Sequence, residues 1–400
     1  MSLQRTACGK LICFFKGFAL DLRRNKFFCN TKERYQPMSH LATPVVDAAA
    51  PYRKVLIVRF SLLGDVAMTI PVVYSVCVAH PETQFVIVTQ QVASTLFFNA
   101  PKNLSVVAVD HHEAYRGFSG MLRLAERLAG EQQPDAMIDL QGDRRSWLLG
   151  MAMRLRGCKV KRIDMGNKGK QALTRRRNKR MFPLRTSLDR YREVFRRMGF
   201  AFEETFTSIF DGGKGDAKAF AHIVGAKAPG ERWIAVAPYA KWAGKIYPIH
   251  LMEKVLDTIA AWQGVKLFFF GQGDDERSQF EKWVKKYPNA ISLGEKRNGF
   301  PVELALLSHC DVMLSMDSMN MHLASLVRVP VVSVWGASHP YCGFMGWKQR
   351  DDLVVQLNMA CRPCSLFGDK RCYYNDFFCL TGIQPQMIVT SLKRVLDEKA

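Results

Sequence analysis

The sequence predicts an α/β protein built from two successive Rossmann-like halves, each a parallel sheet covered by helices. Three observations carry this reading. Short apolar runs rich in β-branched residues alternate with helical patterns. The alternation lapses once near mid-chain and then restarts. The 400 residues are enough for two cores of ordinary size.

Strand-like runs fall at 54–60, 85–89, 105–109 and 136–140, with a helical pattern over 117–129 between two of them. The second series runs through 233–237, 265–270, 312–315 and 331–335, separated by helical stretches at 250–262, 277–286 and 302–309. Residues 1–51 show no sustained periodicity and end in a Pro/Ala-rich stretch, so they are expected to be a leader, disordered or loosely membrane-associated. The halves are then expected over 52–215 and 228–400, with a linker region around 211–215. In such sheets ligands bind beyond the carboxyl ends of the strands, and two facing sheets make an interdomain cleft.

Charge narrows the partner. Lys and Arg number 57 against 36 Asp and Glu, a net charge of +21. Residues 154–197 alone hold 17 basic and three acidic side chains, a net of +14. A block of this kind implies an anionic partner or, failing that, a solvated basic face. No apolar run reaches the roughly 18 residues that span a bilayer. The stretch 11–20 is apolar but interrupted by Lys16, and it makes a poor secretory signal. A protein of the cytoplasm working peripherally at the inner membrane is the expectation.

Four strand exits carry the residues suited to chemistry. After the opening strand, Ser61, Gly64 and Asp65 place a carboxylate at a helix start, suited to a general base or to an ordinary cap. After 312–315 come Asp317, Ser318, Met319, Asn320 and His322, a helix start able to offer free N–H groups to phosphate, though a histidine there is also commonly structural. Lys241 and Lys245 follow 233–237 among aromatic residues, suiting a diphosphate leaving group or plain solvation. Gly271 and Gly273, followed by Asp274, Asp275 and Glu276, suit ribose hydroxyls but match neither a Walker loop nor a full dinucleotide fingerprint.

At these residues the chain resembles the heptosyltransferase family of bacterial lipopolysaccharide synthesis, glycosyltransferase family 9. The likeness rests on VRFSLLGDV (58–66) with Thr69 and Pro71, DLQG (139–142), DRYR (189–192), Lys245 with Tyr247 and Pro248, and Asp317-Ser318 with Met321-His322-Leu323-Ala324, followed by 330–336 with His339 and Pro340. It covers about 54–396.

The resemblance implies a GT-B architecture and metal-independent, inverting transfer from a nucleotide-sugar donor, usually ADP-heptose, to an anionic glycolipid acceptor. It gives Asp65 the catalytic role. It assigns Lys245, Asp274, Asp275, Glu276, Asp317, Ser318, Met319 and His322 to the donor. Met319 departs from a position that is glycine in many relatives, and Asn320 offers an amide in compensation. The acceptor would meet Ser61, Gly64, Gln141, Arg144, Arg145, Arg175, Arg176, Arg177, Lys179 and Arg180. Arginine suits phosphate because its planar fork binds two oxygens at once. Nucleic acid is disfavoured, since the basic block lacks interleaved aromatics for stacking.

Eleven cysteines do not make a secreted disulfide scaffold in a chain this long. Four cluster, Cys361, Cys364, Cys372 and Cys379. Their spacing lacks a second Cys-x-x-Cys pair, leaving disulfides or packing thiols ahead of structural zinc. A sugar-nucleotide enzyme of epimerase-like chemistry and a non-catalytic binder of anionic polymers are the competing functional classes.

Overall fold

A computed structural model describes residues 51–110, 112–294 and 298–399, together with four short strands nearer the N-terminus. Those strands, β1 (Ser2–Arg5), β2 (Leu11–Phe15), β3 (Phe18–Asp21) and β4 (Lys26–Cys29), pair antiparallel in sequence order within the unit Met1–Asp47. The other positions of the expected leader lie outside the described residues.

The unit Ala48–Ala400 contains two sheets. The first has the order β7-β6-β5-β8-β9, comprising β5 (Lys54–Val58), β6 (Gln84–Gln90), β7 (Leu104–Val109), β8 (Ala136–Asp139) and β9 (Lys159–Arg162). Every pairing is parallel. The second has the order β12-β11-β10-β13-β14-β15, again all parallel: β10 (Arg232–Ala237), β11 (Val265–Phe269), β12 (Ala290–Ser292), β13 (Val312–Met316), β14 (Val331–Trp335) and β15 (Val354–Gln356). The central strands read as unbroken apolar runs because both faces are covered: Val55, Leu56, Ile57 and Val58 are all fully buried.

The helices of the first lobe are α1 (Leu63–Ala67), α2 (Ile70–Ala79), α3 (Gln91–Ser94), α4 (Gly117–Gln132), α5 (Arg144–Arg154), α6 (Asn167–Thr174) and α7 (Ser187–Met198). Helices α4 and α5 cover one face of the sheet through Met121, Leu124, Leu128, Leu149 and Met153. Helices α2 and α7 cover the other. In the second lobe the helices are α8 (Ile249–Ala260), α9 (Asp274–Lys286), α10 (Phe300–His309), α11 (Met319–Leu326), α12 (Phe378–Thr381) and α13 (Pro385–Asp397). No helix among the described residues is long and apolar enough to cross a membrane.

The basic segment, where the sequence pattern lapses, is regular after all. It holds β9, α6 and α7. Strand β9 (KVKR) escapes a hydropathy reading because it is the sheet's edge, where lysines are tolerated and suppress unwanted pairing. Helix α7 starts with a capping box between Thr186 and Asp189 and ends at Gly199, whose φ of 106° a side chain would resist.

The lobes share one continuous apolar core. It runs from beneath the first sheet through Phe200, Phe206 and Ile209 to α10 and α11 of the second lobe. Phe206 meets Trp347 edge-on at 5.0 Å between ring centroids, and Trp347 donates its indole N–H to Glu204 at 2.7 Å. Glu204 in turn pairs with Arg192 of α7. Each sheet reverses its winding direction at its centre, between β5 and β8 and between β10 and β13. Loops at these switch points diverge and leave room for ligand.

Candidate active site

Strand β5 ends at Val58, and the next residue, Arg59, turns a guanidinium back into the protein. It is 5% exposed, donates Nη1 to the carbonyl of Leu140 in the β8 loop, and lies 5.7 Å from the centroid of the Tyr191 ring. Its Nη2 sits 3.0 Å from Oδ2 of Asp65. Burial opposes the charge on Arg59, but Tyr191, Asp65 and Asp139 outweigh it and the guanidinium stays ionised. Asp65 occupies the first turn of α1, as the sequence predicts. Arg59 thus fixes one carboxylate oxygen, while Oδ1 has no hydrogen-bond partner among the described residues.

Gly64 lies inside α1, and its lack of a side chain serves close approach. A Cβ there would stand 2.9 Å from Cδ2 of His322 and 3.3 Å from the Met319 Cα. Helix α1 of the first lobe packs directly on α11 of the second. The Asp65 loop and the helix tip therefore meet across the gap between the lobes.

On the second lobe, Lys245 ends a short turn (Ala243–Lys245) and reaches Asp317 Oδ2 at 2.7 Å, with both side chains nearly buried. Ser338 donates its hydroxyl to the same carboxylate oxygen at 2.6 Å. The carbonyl of Ser338 is gripped by buried Arg362, which also binds the carbonyls of Gly336 and Leu357. Ser318 is the N-cap residue of α11 but makes no side-chain cap bond. The first N–H groups of that helix, from Met319 on, thus lack intrahelical acceptors. His322 stands one turn in. Burial lowers its pKa, opposed by Asp317 and Asp65, so the imidazole is neutral near pH 7, and Nδ1 is buried without a partner. Asp65, His322, Lys245 and Asp317 form one electrostatically coupled group.

The remaining donor residues are dispersed. Asp274 and Asp275 are exposed at the head of α9, whereas Glu276 turns back to cap that helix through the Gly273 N–H at 3.3 Å. Beneath the same loop lies a residue the sequence did not single out. Glu303 of α10 is buried, accepts from Gln272 Nε2 at 2.8 Å, and is pushed up to about 7 by desolvation. Helix α10 is apolar and buried almost all round, so a lone acid within FPVELALL was the signal that could have found it.

The acceptor residues divide. Ser61 and Gln141 lie at the Asp65 loop; the Ser61 hydroxyl is buried and unpaired. Gln141 ties the β5 and β8 exits together, accepting from the Phe60 N–H at 3.0 Å and donating to Asp143. Arg145 is held on Asp143 at 2.9 Å, while Arg144 is exposed. In the basic strap after α6, Lys179 donates to the carbonyls of Cys361 and Pro363 at 2.6 and 2.8 Å, and Arg176 lies 5.1 Å from the Tyr373 ring centroid. These two fasten one lobe to the other. Arg175 folds onto the Asn178 carbonyl; Arg177 and Arg180 are exposed. A half-buried cation of the segment that feels the charge of Asp65 is Lys170 of α6. Its ammonium has no hydrogen-bond acceptor among the described residues, lies over Phe344, and has a pKa lowered by burial and by Arg190, with Asp65 opposing.

Cys361, Cys364, Cys372 and Cys379 are free thiols, with Cys379 pushed up to about 12 by burial. Among the described residues no group of three or more His, Cys, Asp or Glu is arranged to hold a metal.

The profile of glycosyltransferase family 9 (heptosyltransferase) matches residues 121–371. The chain belongs to that family. The match begins after the Asp65 loop, so family membership rests on the strands and loops that follow it. Lipooligosaccharide heptosyltransferase 2 of Campylobacter jejuni (serotype O:2) is 26% identical over 90 residues, 22% of this chain and 27% of the relative. The chain thus aligns with about a quarter of the length of that curated relative. A glycosyltransferase family 9 structure from Veillonella parvula superposes with a TM-score of 0.67 at 17% identity, covering 86% of this chain and 98% of the other. Escherichia coli ADP-heptose LPS heptosyltransferase II gives 0.60 at 16%, covering 87% and 100%. The fold of this family 9 chain is the expected GT-B arrangement.

Proposed function

We propose that this chain is an inverting heptosyltransferase that moves a heptose from ADP-heptose to a hydroxyl of an anionic lipid A/core glycolipid. One observation carries the reading: a carboxylate of the first lobe and a phosphate-binding apparatus of the second, Lys245 with the α11 N-terminus, meet at Gly64 and His322. Similarity to an enzyme named for ADP-heptose and LPS supports the donor and acceptor classes, and the basic surface of the first lobe supports an anionic acceptor.

Asp65, oriented by Arg59, takes the proton of the acceptor hydroxyl on its free oxygen. The acceptor oxygen attacks the anomeric carbon from the face opposite the diphosphate. The bond from that carbon to the phosphate oxygen breaks, and its electron pair leaves with ADP. Charge growing on the diphosphate is met by Lys245, which turns from Asp317 to phosphate, and by the free N–H groups of α11. Neutral His322 is placed to donate or accept a hydrogen bond without adding charge. Lys170, which feels the charge of Asp65, and the unpaired Ser61 hydroxyl are suited to hold the acceptor. The reading implies a protein at the inner face of the membrane.

The test measures ADP release and glycolipid product with and without acceptor. Both must depend on acceptor. Donor turnover without acceptor, giving an isomerised nucleotide sugar, would favour epimerase-like chemistry and overturn the proposal.

A further inference from the structure

Helices α4 and α5 are apolar on two opposite sides. Their inner sides build the core of the first lobe. The outer side of α5 carries Trp147, Met151 and Leu155 at spacings of four residues, one stripe along the helix, and Leu155, just past its end, is 85% exposed. On the adjoining α4, Phe118 and Leu122 are 63% and 40% exposed. A surface helix is expected to be polar on this side. An exposed set of large apolar side chains on two packed helices marks an interaction surface.

Charge identifies the occupant. Arg144, Arg154 and Arg156 flank the stripe, are exposed, and pair with no carboxylate among the described residues. Of the acids nearby, Asp143 is occupied by Arg145 and serves as the α5 cap, and Glu131 of α4 is occupied by Arg127, which leaves Glu126 of α4 exposed and outnumbered. Trp, Phe, Leu and Met interspersed with arginine is the composition of surfaces that lie in the headgroup region of an anionic bilayer.

We propose that the outer face of α4 and α5 docks on an anionic lipid surface, with Trp147, Met151 and Leu155 entering the headgroup boundary and the three arginines meeting lipid phosphates. Helix α5 starts two residues after Gly142, beyond the carboxyl end of β8, so the Arg144 and Trp147 end of the stripe is the end nearer the strand exits, and Arg154, Leu155 and Arg156 lie at the other end. The docking stands independently of which sugar is transferred, since it needs no donor and no acceptor.

The experiment uses the full chain and vesicles of phosphatidylethanolamine with phosphatidylglycerol, beside vesicles of phosphatidylcholine. Co-sedimentation is expected with the anionic vesicles only, weakening as salt rises. The combined variant Trp147→Ser, Met151→Ser, Leu155→Ser is expected to lose at least tenfold in partitioning. Its melting temperature should change little and its transfer to a water-soluble acceptor fragment should be unchanged, because none of the three side chains belongs to the buried core. Wild-type partitioning by that variant would overturn the proposal by placing membrane binding elsewhere in the chain. So would self-association of the wild-type chain, seen by sedimentation equilibrium and abolished by the triple change, which would make a second copy the occupant.

Discussion

Replacing Gly64 by alanine separates the closeness of the two lobes from every chemical role. The φ of Gly64 is not in the left-handed region, so the substitution costs no backbone strain and favours α1 slightly. What it adds is one methyl group, 2.9 Å from the ring of His322 and 3.3 Å from the Cα of Met319. Ordinary carbon contacts lie at about 3.5–4.0 Å, so the pair must separate by roughly half an ångström. The imidazole can swing, but the Met319 Cα is backbone and moves only with α11. Overpacking of this kind costs about 1–3 kcal/mol. If the cost falls on the join between lobes, then Asp65 and Lys245 are displaced relative to one another. A misplacement of about 1 Å lowers turnover about 100-fold. The assay is kcat for ADP release with saturating acceptor, alongside thermal melting. The expected result is a kcat reduced by tenfold or more with a small melting shift. A Gly64→Ala enzyme with unchanged kcat would refute the argument that this approach sets the catalytic geometry.

Asp65→Asn keeps size and hydrogen bonding but removes the base, and kcat should fall about 10²–10⁴-fold with donor binding retained; near-normal turnover would exclude Asp65 from proton transfer. Lys245→Met removes the cation from buried Asp317 and leaves it the Ser338 hydroxyl alone, so the melting temperature and donor affinity should both fall, the stability loss being about 3 kcal/mol. Donor titration by calorimetry together with melting curves checks both. Glu303 is raised to about 7, so the folded state holds a proton that the unfolded chain gives up near pH 4.5. Its contribution to stability is fully present below about pH 4.5 and is lost as the pH rises through about 7, an effect of up to about 3 kcal/mol. Glu303→Gln should therefore melt higher than wild type at pH 8 and nearly level with it at pH 4.5; equal curves at both pH values would place the carboxyl in water. Because Lys245 and the α11 N-terminus supply the positive charge, turnover should be unchanged by EDTA, as measured by ADP release before and after dialysis.

The large-scale plan was legible because doubly covered parallel strands are unbroken apolar runs, and 54–58 or 312–316 can be little else. The loop residues Asp65, Lys245, Asp317 and His322 were legible because helix starts after strands have recognisable residue types. Their convergence was not, since spacing along a chain carries no information on contact between lobes; α1 packs on α11 more than 250 positions away. The roles of individual cations were also hidden. Lys179 and Lys170 both read as members of one basic block, yet one is spent on carbonyls and the other, with no acceptor among the described residues, feels the charge of Asp65. Arg59 looked like a strand residue because its partner Tyr191 lies 132 positions on, in α7.

The Lys179 fastening has a consequence for how such an enzyme tolerates its surroundings. Its two acceptors are peptide oxygens, which neither titrate nor exchange counterions. Acidification within the range the protein survives leaves that latch closed, and added electrolyte weakens it far less than it weakens an exposed ion pair.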